Sequence, residues 1–320
     1  MKYIALEEAF AIPGLAERQP KTTLKIRVSP ELAKRGQVRL ADFTEYRIPE
    51  MDANGIDLQV LSLTVPGIQA DVDPRSATDN AVYANDFLAD VVGRHPDRFR
   101  GFAALPMQDP ESAIRELRRC VDDLGFCGAL VNDHTQGHYL DEPQYEDFWS
   151  ELETIGLPLY IHPGSLPVDD WRVLSGRPEL YGATWSWGAE TGAHALRLVY
   201  GGVFDRHPGA TVILGHMGEF LPFQLSRFDS RYQTLVNDRP LLRRPSEYFG
   251  KNIVITTSGV FAPAALTGAI MAIGADSVMF SIDYPYESTA EAVRGFEQTQ
   301  LADGDREKVA HANAERILKL

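Results

Sequence analysis

Val278-Met279-Phe280-Ser281-Ile282-Asp283-Tyr284-Pro285-Tyr286-Glu287 is an apolar run of buried-strand length that stops at a carboxylate. Pro285 ends any further pairing soon after. A buried strand that delivers an acid at its C-terminal end raises one question, whether other strands of the chain end the same way.

They do. Apolar runs at Tyr3–Leu6, Leu58–Leu63, Phe99–Leu105, Cys127–Val131, Pro158–Ile161, Thr211–Leu214 and Ile253–Thr256 read as strands. Helical stretches separate them. Asp109-Pro110 opens one with Asp at the N-cap and Pro at the first position, and Pro263 opens another. A helix is also expected from about Asp42 to Asn54, kinked or restarted at Pro49. Others are expected from about Phe220 to Val236 and, at the C-terminus, across 287–318. Eight apolar strands alternating with helices predict a parallel sheet, and at 320 residues a (β/α)₈ TIM barrel fits better than a doubly wound sheet. The Gly-rich turn that a dinucleotide fold needs after its first strand is replaced here by Glu7-Glu8-Ala9-Phe10. The whole chain, 1–320, reads as one barrel domain. It includes a proline-rich, mixed-charge insertion at 12–38, expected to be an irregular arm over the barrel mouth or at a subunit contact.

In such a barrel the residues just past each strand converge on one face. The strand ends offer Glu7, Ser62 to Thr64, Asn132, His162, His216, Thr257 and Asp283. Ionisable groups are poor strand and core residues, so two acids and two histidines at strand ends point to chemistry. Glu, His and Asp suit a hard to borderline divalent cation, with positions left open for water or substrate. Glu219, three residues past His216, is placed to orient that imidazole. His134 and His138 sit in the loop after Asn132 and are candidates for substrate contact. His95, His207, His194 and His311 read as structural or surface residues.

Composition narrows the partners. The net charge of −14 opposes nucleic acid and anionic membrane surfaces. No apolar run reaches the ~18 residues of a membrane helix. Cys120 and Cys127 fall in different elements and read as buried thiols, in keeping with a cytoplasmic protein.

Ala5–Phe10, Ala129–Asn132, His162-Pro163, Phe204–Pro208, Gly215-His216-Met217-Gly218-Glu219, Ile255–Gly259 and Phe280–Glu287 together resemble the amidohydrolase-related (ACMSD-like) decarboxylases. Within these the chain looks most like the 2,3-dihydroxybenzoate and γ-resorcylate decarboxylases. The resemblance implies that Glu7, His162 and Asp283 bind one divalent metal ion, and that Asp283, His216 and Glu219 are catalytic. It implies a small aromatic carboxylic acid as substrate and a homodimer or homotetramer. Two departures stand out. Ala9 occupies a position where γ-resorcylate enzymes carry a fourth, histidine ligand, which tilts the metal from Zn²⁺ towards Mg²⁺ or Mn²⁺. His162-Pro163-Gly164-Ser165-Leu166-Pro167 lacks an arginine common in relatives. Phe10, Thr64, Trp187 and Arg227 are the candidate substrate-binding residues, the first and third by ring packing and Arg227 as an anion partner. A metal-dependent hydrolase or hydratase acting on a lactone, amide or unsaturated acid, and a non-catalytic binding barrel, are the alternatives on the same scaffold.

Overall fold

The apolar runs form strands because β-branched and aliphatic side chains suit a sheet covered on both faces. In the computed structural model, which describes residues 1–19, 28–167, 171–236 and 239–320, they become β1 (Ile4–Phe10), β2 (Leu58–Leu63), β3 (Phe99–Gly101), β4 (Ala103–Ala104), β5 (Ala129–Asn132), β6 (Leu159–His162), β7 (Val212–Leu214), β8 (Ile253–Thr256) and β9 (Val278–Met279). Each strand pairs in parallel with the next, in the orders β1-β2-β3 and β4 through β9. β3 and β4 are a single run broken at Phe102, whose N–H turns to Leu61 O at 2.9 Å while Ala103 N–H turns to Gly128 O. That break makes nine segments of the eight expected strands. The ring closes between β1 and the segment after β9, through a parallel bridge Leu6–Ser281 and the bonds Leu6 N–H to Phe280 O and Ala9 N–H to Tyr284 O. The fold is the predicted (β/α)₈ barrel.

Strand alternation sorts the core into two layers. Ile4, Leu6, Leu58, Val60, Leu130, Tyr160, Ile213, Val254 and Met279 form one cluster inside the ring. Ala5, Leu61, Val131, Ile161, Leu214, Ile255 and Val278 belong to the larger cluster shared with the outer helices. Ala314 and Leu318, from the terminal helix Asn313–Leu318, join the inner cluster. Asn313 secures that helix by donating to Ala275 O and Val278 O at 2.7 and 2.8 Å.

Three expectations need correction. The insertion is not irregular throughout: residues 20–27 lie outside the described residues, but Leu15–Arg18 and Pro30–Leu40 are helical. Ser29 caps the second of these and Pro30 opens it. That helix buries only Gly36, so no apolar stripe marks it in the sequence. Its Arg35 donates to Pro285 O and Tyr286 O, tying the arm to the loop that carries Asp283. The helix foreseen from Asp42 starts at Arg47. Asp42 precedes it, accepting the N–H groups of Glu45, Tyr46 and Arg47, and Pro49 falls in the first turn, where no helical bond is lost. The helix foreseen over 220–236 is a 3₁₀ turn, Leu221–Gln224, followed by Leu225–Tyr232. Cys120 and Cys127 are free and buried, as read from the sequence. Among the described residues no helix is long and apolar enough to cross a membrane.

Asn313→Ala strands two buried carbonyls and is expected to lower stability by about 1–3 kcal/mol. The denaturant midpoint should fall at unchanged slope.

Candidate active site

The site begins with an irregularity in β1. Ala5 pairs with Gln59, yet the next partners are Glu8 and Leu61, so β1 carries one extra residue, and Glu7 takes a φ of 66°. This is a bulge, and it re-aims the Glu7 side chain. Glu7 Oε2 accepts a hydrogen bond from Tyr160 Oη on β6, which also lies 2.9 Å from Thr256 Oγ1 on β8. Burial and the neighbouring Glu7 carboxylate hold the Tyr160 phenol well above its ordinary pKa, so it remains a donor. A Cβ at Gly215 would lie 2.5 Å from Glu7 Oε2, so glycine is needed there for the carboxylate to fit.

Glu7 Oε1 is buried and has no hydrogen-bond partner among the described residues. Two imidazole nitrogens face it, His162 Nε2 at 3.4 Å and His216 Nε2 at 3.3 Å. The opposite edge of each ring is engaged. His162 Nδ1 lies 2.7 Å from Pro163 O and 3.0 Å from Asn132 Oδ1. His216 Nδ1 lies 2.6 Å from Glu219 Oε1. With Nδ1 as the donor in both rings, both Nε2 atoms point at the Glu7 oxygen. Burial pushes His162 below its ordinary pKa, against the Glu7 charge. Burial would lower His216 too, but the carboxylates of Glu7, Glu219 and Asp283 reverse that and hold it well above the histidine range. Glu7 itself is raised by burial, against the pull of the two imidazoles.

His216 and Glu219 do not open an ordinary helix. From His216 through Phe220 every φ is positive, between 48° and 73°. Left-handed backbone costs a non-glycine residue about 1–2 kcal/mol, so packing must hold this turn. Met217 is buried, and Gly188 and Gly192 on the helix Ser186–Tyr200 leave room for Glu219. A Cβ at Gly188 would lie 2.8 Å from Glu219 Oε2.

Asp283 completes the cluster. Its φ is 79°, its carbonyl accepts the N–H groups of Tyr286 and Glu287, and its Oδ2 lies 3.8 Å from His216 Nε2. Glu7, His216 and Asp283 bring ligand atoms within 4.8 Å of one another. The sequence-based set named His162 in place of His216. The structure brings both imidazoles to the same Glu7 oxygen. An unpartnered buried carboxylate oxygen facing two imidazole nitrogens, with a second carboxylate alongside, fits a divalent cation.

Beside the cluster, a small cavity is lined by Glu7, Ala9, Ser62, Leu63, Thr64, His162 and Tyr286. Thr64 is one of these lining residues, with its Oγ1 2.7 Å from Tyr286 Oη. Trp187 packs edge-on against His162, with ring centroids 6.4 Å apart. Two residues expected to contact substrate do not line this cavity. Phe10 is buried in the core, stacked on Phe87 and packed against Phe43, because the bulge changes the face it presents. Arg227 is exposed on the helix Leu225–Tyr232 and does not line the cavity. His134 bonds Ser165 O, and His138 pairs with Glu142. His194, read as packing, is buried and bonded to Asp133 and Leu140 N–H. Sequence reasoning missed Tyr160 and Tyr286 as site residues. The alternation of β6 could have found Tyr160, two residues before His162 and so on its face.

The amidohydrolase family model matches residues 26–320. The chain is 45% identical over 325 residues to a γ-resorcylate decarboxylase of a Rhizobium species, covering 99% of this chain and 98% of that one. It superposes with a TM-score of 0.93, at 44% identity over the whole of both chains, on a 2,6-dihydroxybenzoate decarboxylase complexed with 2,6-dihydroxybenzoate. A dihydroxybenzoic acid decarboxylase of a Polaromonas species, with bound manganese and the inhibitor 2-nitroresorcinol, superposes with the same score at 42% identity, covering 100% of this chain and 97% of that one.

Gly215→Ala places a methyl group on the Glu7 carboxylate. Titration of the chelator-treated chain with Mn²⁺ is expected to show affinity reduced roughly tenfold or more. Unchanged affinity would mean that Glu7 is not a ligand.

Proposed function

The chain belongs to the amidohydrolase family, and on that premise we propose that it is a metal-dependent, non-oxidative decarboxylase of an aromatic acid bearing a hydroxyl group ortho to its carboxylate. The observation that carries this reading is the unpartnered Glu7 Oε1, buried between His162 and His216 with Asp283 beside them. The named activities of the relatives support it.

Glu7, His162 and Asp283 are the residues we assign to the metal. His162 Nδ1 faces a carbonyl and an amide oxygen, partners that suit a neutral ring with its Nε2 lone pair free. His216 Nδ1 faces a carboxylate, a partner that stabilises imidazolium and so suits a proton carrier. When bound, the cation supplies Lewis-acid and template chemistry next to the carboxylate and phenol oxygens of the substrate. Two carboxylates in the set favour Mg²⁺ or Mn²⁺ over Zn²⁺, and the manganese of the Polaromonas relative is consistent with that.

Losing carbon dioxide directly would leave an aryl anion. Protonating the ring first avoids it, with the electron pair of the new C–H bond drawn from the ring and the ortho oxygen. The bond to the carboxylate then breaks, its pair returns to the ring, and carbon dioxide leaves. Asp283 is the group that hands over the proton, and His216, 3.8 Å away and backed by Glu219, returns one to it. Thr64 and Tyr286 border the space for the ring, and Trp187 packs against His162 beside it. The exposed aromatic surface of Trp185, Phe220 and Phe223 supports a homo-oligomer, a homodimer or homotetramer.

Incubation of the Mn²⁺-loaded chain with 2,6-dihydroxybenzoate, 2,3-dihydroxybenzoate and salicylate is expected to release carbon dioxide and the matching phenol. In D₂O one deuterium should enter at the vacated carbon. Chelation should abolish turnover and Mn²⁺ restore it. Asp283→Asn should fold and lose at least about 10²-fold in kcat. Solvent oxygen in the product without carbon dioxide release would replace this reading with a hydrolase.

A further inference from the structure

The bulge that turns Glu7 inward leaves a gap in the barrel's hydrogen bonding. β1 and the segment after β9 are joined by main-chain bonds on either side of it, Leu6 N–H to Phe280 O at 3.4 Å and Ala9 N–H to Tyr284 O at 2.8 Å. Between them lie the N–H groups of Ile282 and Tyr284, which flank Asp283. Buried N–H groups need acceptors. Both find theirs in the Glu8 side chain: Ile282 N–H donates to Oε1 at 3.0 Å and Tyr284 N–H to Oε2 at 3.1 Å. Ser281 Oγ adds a longer contact to Oε1 at 3.4 Å. Glu8 is fully buried.

We propose that Glu8 is the positioning residue for Asp283. Its carboxylate replaces the missing stretch of sheet ladder and holds the backbone on both sides of Asp283, fixing the left-handed conformation that points that side chain into the site. A φ of 79° is unfavourable for aspartate, so the backbone on both sides must be held. Arg47 reinforces the clamp. Its buried guanidinium donates to Ala9 O and Gln59 Oε1 and lies 4.3 Å from the centre of the Tyr284 ring. It thereby grips the chain just past Glu8 and just past Asp283. Glu7 and Glu8 have complementary roles, since the first enters the site and the second sets the geometry of the acid opposite. The glutamate side chain offers an oxygen at both ends. Glutamine in the same place turns an N–H₂ group towards one of the two N–H donors.

The inference rests on Asp283 being a metal ligand. The test uses the full-length chain, stripped with chelator and titrated with Mn²⁺ while free Mn²⁺ is read by electron paramagnetic resonance. The variants are Glu8→Gln, Asp283→Asn and the double variant. Glu8→Gln is expected to keep its far-ultraviolet dichroism and to bind Mn²⁺ roughly 10–100-fold more weakly. In the Asp283→Asn background the same change should add no further loss, because Glu8 acts through Asp283. Wild-type affinity in Glu8→Gln, or an additive loss in the double variant, overturns the proposal. Wild-type affinity in Asp283→Asn alone sinks the ligand assignment, and the clamp's role with it. If Glu8→Gln does not fold, the wild-type chain decides. Amide exchange across residues 278–286 should then show the Ile282 and Tyr284 positions among the slowest, and exchange as fast as an exposed loop overturns the proposal.

Discussion

One extra residue in β1 governs the mouth of this barrel. A regular strand, continuing the alternation of Ile4, Ala5 and Leu6, would turn Glu7 outward and Glu8 inward and keep the ladder to the last strand intact. The bulge gives Glu7 a positive φ and breaks the ladder where the ring closes. Glu7 then reaches the inside of the barrel, where Tyr160 and Gly215 fix one of its oxygens and leave the other bare between two imidazoles. Glu8 stays in the wall and satisfies the donors left by the break. A conformational penalty in one residue therefore yields both a ligand and the support for the acid opposite.

Strain recurs around the cluster. Glu7, His216, Glu219 and Asp283 all have positive φ, as do Met217 and Phe220 beside them. Non-glycine residues adopt this region at a cost that the surrounding packing must offset. Here the offsets are visible. Glycines at 188, 192 and 215 give close approach, and Met217 is buried in the outer core. Interior contacts of the barrel wall offset the strain of the site's geometry, which is why the active groups stand on strand ends rather than on free loops.

The electrostatics divide the two histidines that the strand pattern alone treats as equals. Both present Nε2 to the same oxygen. The difference lies behind them, a carbonyl and an amide for His162 and a carboxylate for His216. That second layer is set by Asn132 on β5 and by the left-handed turn after β7. Neither is apparent from the motif that brings the two rings together.

The barrel and the identity of the converging groups were legible in the order of residues alone, because eight apolar runs ending in Glu, His, His and Asp leave few other arrangements. Pairing between neighbouring strands is local in pattern, and alternation is readable residue by residue. Phe10 could not be placed that way, since a bulge shifts every later side chain by one face. Nor could the helix Pro30–Leu40, which presents no apolar stripe, or the left-handed turn at His216–Phe220, which mimics a helix start. Tyr160, the Glu8 clamp and the bare oxygen of Glu7 emerge only from the folded barrel, because each depends on strands far apart in the chain being brought within hydrogen-bond reach.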